Sequence, residues 1–160
     1  MEESSGPGKP YYIYFVTTPK VPQGFPAIVR RTPDGLKLDW ECFVEFHDSH
    51  FVKFHDNKEE GPKSFRVVLK RAEYWGEDRN SFADLDNYIC YRVELPYAEV
   101  DYYAFVARDQ PLAEELQGMV DWGRPPLAGI ITFKRENFPH GVSHLKITDF
   151  VTEDWFRPVD

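Results

Sequence analysis

From residue 36 to residue 46 apolar and polar side chains alternate. Leu36, Leu38, Trp40, Cys42, Val44 and Phe46 share one parity, and Lys37, Asp39, Glu41, Phe43 and Glu45 the other. A period of two predicts a half-buried β-strand, because successive strand side chains point to opposite faces. At about 3.3 Å per residue it would run roughly 35 Å, enough for the central plank of a small sheet. Its outer row is mostly acidic and calls for basic neighbours. Residues 64–71 alternate in the same way, with Phe65, Val67 and Leu69 inward and Arg66 and Lys70 outward. Opposite charges on adjacent strands attract, so the two strands are expected to pair.

The same period predicts a strand over 87–95, aromatic and β-branched content predicts strands over 11–17 and 101–108, and 27–32 resumes as a strand after the Pro- and Gly-rich loop. Pro33-Asp34-Gly35 supplies a tight turn before the long strand. A final hairpin is expected from 127–135 and 142–150 around the loop 136–141, with residues 151–156 closing as a lid or short strand. Two stretches change period. Asp48 or Ser49 can cap a short helix that carries Phe51 and Phe54 and stops at Gly61-Pro62. Asp109 can cap a clearer one, in which Leu112, Leu116, Met119 and Val120 recur at helical spacing before Gly123 and Pro125-Pro126. Residues 74–86 are polar and irregular, with one helical turn around Phe82 and Leu85. About eight strands joined by short turns, with one or two helices packed against them, predict a largely antiparallel α+β fold, as a curved sheet or open barrel.

A chain of 160 residues suits one domain, here 11–160, preceded by a disordered tail over 1–10 that contains Gly6, Pro7, Gly8 and Pro10. Hydrophobic content of 42% and charged content of 29% are ordinary, but thirteen Phe, nine Tyr and four Trp make 16% aromatic, which predicts rings at a surface. A net charge of −8 and a pI near 5.1 oppose phosphate backbones and anionic lipid, so no nucleic acid and no membrane are expected as partners. No signal peptide is expected from residues 1–10, which have no basic start and no apolar run, and no run of about 18 apolar residues follows. Cys42 and Cys90 are too few for a disulfide scaffold and read as buried free thiols, and the chain is expected in the cytoplasm.

Candidate chemistry is sparse. His47-Asp48-Ser49-His50 and His55-Asp56 gather three of the five histidines within nine residues, so His47, His50 and His55 are the metal candidates, with Asp48 or Asp56 assisting a small metal-dependent hydrolase. His140 lies in a Pro-Gly turn and His144 points away from Leu145 and Ile147, so the two need not meet. Glu77, Asp78, Asp84 and Asp86 crowd oxygen atoms into one loop, but the spacing fails the EF-hand pattern. Asp39, Glu41 and Glu45 with Phe43 form a row that resembles a sugar-binding wall and equally an ordinary sheet face. No Gly-x-Ser-x-Gly elbow, dinucleotide fingerprint or Cys-x-x-Cys occurs, and no cofactor is expected.

The first functional expectation is therefore a non-enzymatic protein-interaction domain, engaging a protein partner or a second copy of itself through exposed rings and acidic side chains. Tyr74, Trp75, Trp122, Phe138 and Trp155 are its candidate anchors. The alternatives are the hydrolase and a barrel whose rings line a small-ligand cavity.

Overall fold

A computed structural model describes residues 2–4 and 11–155. Among them are nine strands, three α-helices and two 3-10 turns, in an α+β arrangement with mostly antiparallel pairing. They gather into two compact units, Met1–Asp56 and Asn57–Asp160.

The first unit contains a four-stranded antiparallel sheet of β1 (Glu2–Ser4), β2 (Tyr11–Val16), β3 (Phe25–Thr32) and β4 (Gly35–Leu38) in sequential order. Of the tail expected over 1–10, residues 1 and 5–10 lie outside the described residues, while Glu2–Ser4 pair with β2. Gly35 takes the left-handed φ of 109° that the β3–β4 turn demands.

The expected long strand ends at Leu38. The rest of its alternating run is helix α1 (Trp40–His47), with α2 (His50–Asp56) after it. The cap decides this. The Asp39 carboxylate accepts the Cys42 N–H at 3.1 Å, its carbonyl accepts the Phe43 N–H at 3.0 Å, and Arg30 on β3 pairs with its other oxygen at 2.7 Å. Cys42, Glu45 and Phe46, spaced three and four apart, form the buried face. Phe43 interrupts the alternation and gives the run apolar residues three and four apart, Trp40, Phe43 and Val44, so 40–46 fits either period, and a charged N-cap held by a neighbouring strand selects the helical one. The acidic row therefore never becomes a sheet face, and its expected pairing with 64–71 does not form.

The second unit is a closed barrel of β5 (Lys63–Arg71), β6 (Tyr88–Leu95), β7 (Ala98–Ala107), β8 (Leu127–Asn137) and β9 (Ser143–Glu153), ordered β5-β6-β7-β9-β8 and closed by β8 against β5. All neighbours are antiparallel except β7 and β9. Helix α3 (Pro111–Met119) spans the connection from β7 to β8. Five strands in this Greek-key order have the connectivity of OB-type barrels. Phe65, Val67, Leu69, Ile89, Tyr91, Val93, Ala104, Ile131, Phe133, Leu145 and Ile147 alternate onto the barrel's inner face and are buried. Parity then turns Cys90 and Arg92 of β6, Tyr103 and Phe105 of β7, and His144 of β9 outward. The functional geometry lies on this outer face.

Candidate functional site

Two connections converge there, 72–87 between β5 and β6, and 138–142 between β8 and β9. The first is folded by its own turns: Arg79 N–H donates to Gly76 O, and Ser81 donates to Asp78 O through both its N–H and its hydroxyl. This turn points Asp78 back at the barrel. The second is closed by Phe138 N–H to Val142 O at 2.9 Å and Gly141 N–H to Phe138 O at 2.8 Å, with Gly141 at a φ of 85°. That turn carries His140.

One oxygen of Asp78, Oδ2, lies 2.6 Å from His140 Nε2 and 2.7 Å from His144 Nε2. Its other oxygen, Oδ1, accepts a hydrogen bond from the Tyr74 hydroxyl. A carboxylate only accepts, so both imidazoles present Nε2–H to it. Burial alone would push the Asp78 carboxyl up, but the hydrogen bonds from Tyr74, His140 and His144 overcome it and hold it below the usual carboxylate range. Burial, reinforced by the Asp78 charge, pushes the Tyr74 hydroxyl above its usual range. Burial also pushes the His144 imidazole down, against the pull of Asp78. The resulting arrangement is one carboxylate held by three side-chain donors.

Rings enclose it. Phe82 stacks on His140 with centroids 4.1 Å apart and on His144 at 5.5 Å, and the two imidazoles stack on each other at 5.5 Å. Tyr74, Phe82, Cys90, Phe105 and Phe138 form the buried cluster around them. Gly76 is needed for the close approach of Tyr74, whose ring and hydroxyl occupy the space a Cβ would take.

Beside this cluster the same outer face opens into a groove of about 430 Å³ lined by Lys70, Arg71, Glu73, Trp75, Arg92, Tyr103 and Trp122. Trp75 is 68% exposed and Trp122 59%. Each indole is backed by a guanidinium, Arg79 lying 4.3 Å from the Trp75 ring centre and Arg71 4.9 Å from that of Trp122. Tyr103 joins groove to cluster, meeting Tyr74 edge to face at 5.2 Å.

Of the five candidate anchors, Trp75 and Trp122 are thus brought to one groove. Tyr74 and Phe138 are buried in the cluster and are not at the surface, because their parts of the two connections fold onto Phe105. Trp155 is partly buried, its indole N–H donating to Val67 O at 3.1 Å. The histidines of the first unit stay apart: His47 stacks on Phe43 and bonds Asp48, His55 bonds Asp56, and His50 is exposed. Among the described residues the group with metal-ligand geometry is instead Asp78, His140 and His144. Period-two parity turns His144 away from Leu145 and Ile147, and its meeting with His140, which the sequence did not require, is made through Asp78. The missing partner was Asp78, more than sixty residues earlier in the chain. The ring-lined cavity draws no support, since the ring cluster lies outside the barrel and the inner face is mainly aliphatic.

Comparison with protein-family models, curated proteins and solved structures finds no match for this chain. Among the described residues no helix is long and apolar enough to cross a membrane.

Proposed function

We propose that the barrel unit is a non-enzymatic protein-binding domain whose anchor point is the groove between Trp75 and Trp122. The observation that carries this is the pair of largely exposed indoles, each backed by an arginine, in one groove with Tyr103. Trp, Tyr and Arg are the residues in which binding energy concentrates at protein interfaces. Indoles already stacked on guanidinium groups also lose little freedom when a partner arrives.

Charge favours a protein over a nucleic acid. Arg92 is flanked by Glu94 at 2.5 Å and Asp101 at 3.5 Å, and Arg71 by Asp121 at 3.6 Å. Arg71 and Arg92 are thus offset by the chain's own carboxylates, which reduces the field the groove offers a phosphate backbone. By fold analogy, OB-type barrels bind oligonucleotides and oligosaccharides on the face of their second and third strands and the adjoining loops; the analogy supports this face as a binding face, and the ion pairs of Arg71 and Arg92 argue for a protein on it. The reading places the protein in the cytoplasm, where Cys42 and Cys90, neither of them in a disulfide, stay reduced.

The test is selection of peptides from a displayed library on the intact protein, followed by titration against Trp75→Ala, Trp122→Ala and the double variant. Loss of a hot-spot indole costs about 2 kcal/mol or more, so each single variant should weaken the selected peptides about thirty-fold. Peptides that bind the double variant as tightly as the parent, or a single-stranded oligonucleotide that binds the groove instead, would overturn the proposal.

A further inference from the structure

We infer that Asp78, His140 and His144 form a binding site for a divalent transition-metal ion, with Tyr74 as the positioning residue for the carboxylate. The donor atoms, two imidazole nitrogens and one carboxylate oxygen, all lie within 4.8 Å of one another. This site is separate from the groove and does not depend on the protein-binding proposal.

The geometry has the required parts. Both Nε2 atoms already converge on one oxygen, at 2.6 and 2.7 Å. Metal bonds of about 2.1 Å at a tetrahedral angle would set the donors roughly 3.4 Å apart, so the carboxylate oxygen needs to move less than 1 Å from each imidazole nitrogen. The two imidazoles stand on a turn and a strand of one hairpin, whereas Asp78 stands on a separate connection, and a small displacement of that connection opens the space. Tyr74 holds the second carboxylate oxygen, as outer-shell donors do around ligating carboxylates. Phe82, Phe105 and Phe138 give the site apolar walls, which raise the strength of charge interactions inside it.

The donor set also selects the ion. Two imidazoles and one carboxylate suit zinc and its first-row neighbours, while calcium and magnesium prefer oxygen throughout. On binding, each imidazole gives an Nε2 lone pair to the ion, so the proton that Nε2 presents to Asp78 moves to Nδ1 or to solvent. His140 Nδ1 is buried with no hydrogen-bond partner, so its N–H would lack the usual outer-shell acceptor, which lowers the affinity below that of a fully supported site. Three protein donors are one short of a closed tetrahedral set, leaving a position for water or a ligand atom. The ion would join the 72–87 connection to the β8–β9 hairpin.

The experiment is a calorimetric titration of zinc into intact, tag-free, chelator-treated protein, with the unfolding temperature followed in parallel. One ion per chain and a rise in unfolding temperature are expected. Tyr74→Phe keeps the ring and should weaken binding about tenfold or more. His144→Gln and Asp78→Asn should remove one-to-one binding, while His50→Gln, which alters an exposed histidine of the other unit, should leave it unchanged. Absence of saturable binding to the parent protein, which needs no variant to interpret, would overturn the inference. So would binding unaffected by Tyr74→Phe and His144→Gln.

Discussion

Tyr74 and Trp75 are adjacent in the chain and turn opposite ways. Tyr74 is 7% exposed and donates its hydroxyl proton to Asp78, while Trp75 is 68% exposed and lies along the groove. One extended step at the start of the 72–87 connection thus fixes a wall of each candidate site, so a disturbance at Tyr74 should be felt by both.

Tyr74→Phe should destabilise the barrel unit by about 1–3 kcal/mol, the range for a hydrogen bond to a charged group that is lost while the ring remains. Urea denaturation of both proteins measures this. An unchanged midpoint would mean that the hydroxyl bond to Asp78 contributes nothing to stability.

Gly76→Ala should cost a similar amount for a steric reason. The new Cβ would overlap the Tyr74 hydroxyl and ring. Overpacking of this kind costs about 1–3 kcal/mol. In a Tyr74→Leu background the clash is relieved and the cost should fall, and the double-mutant cycle reports the difference.

Alkaline pH should weaken the fold in a defined window. Burial pushes the Cys90 thiol from 9.0 up to about 12, and the Tyr91 hydroxyl from 10.0 up to about 12, with Arg71 opposing both. Folding therefore favours the protonated forms. Stability is complete below about pH 9 and is lost as pH rises towards 12, because the unfolded chain releases these protons first. Denaturation midpoints measured across that range should fall, and Cys90→Ala should make the fall shallower by one proton.

Asp39→Ala should cost about 1 kcal/mol for the lost N-cap of α1, with a further contribution from the lost pair with Arg30. Asp39→Ser restores a capping oxygen without the charge and should recover part of the loss. Circular dichroism, read with the unfolding curve, distinguishes the two. No loss in either variant would show that α1 is fixed by packing alone.

Much of the architecture was legible in the chain. The alternation of Ile89, Tyr91 and Val93 and of Leu145 and Ile147 specified strands and their inner faces, because a half-buried strand must show period two whatever it pairs with. Gly35 and Gly141 marked turns for the local reason that both need a positive φ. The 16% aromatic content also foretold exposed rings, and Trp75 and Trp122 are among them.

Other features needed the tertiary structure. Residues 40–46 are compatible with helix or strand by periodicity, and Arg30, nine residues before Asp39, helps fix the cap that selects helix. Tyr74 and Phe138 read as surface rings because their neighbours are polar, yet two separate connections fold them onto Phe105. Asp78 looked like one carboxylate in an acidic loop, and His140 and His144 like two unrelated histidines. Their meeting depends on strand order, which places the β5–β6 connection beside the β8–β9 turn on one outer face of the barrel. Local sequence dictates each residue's parity and turn preference. Which distant residue it faces is decided only when the barrel closes and the separate connections are brought together.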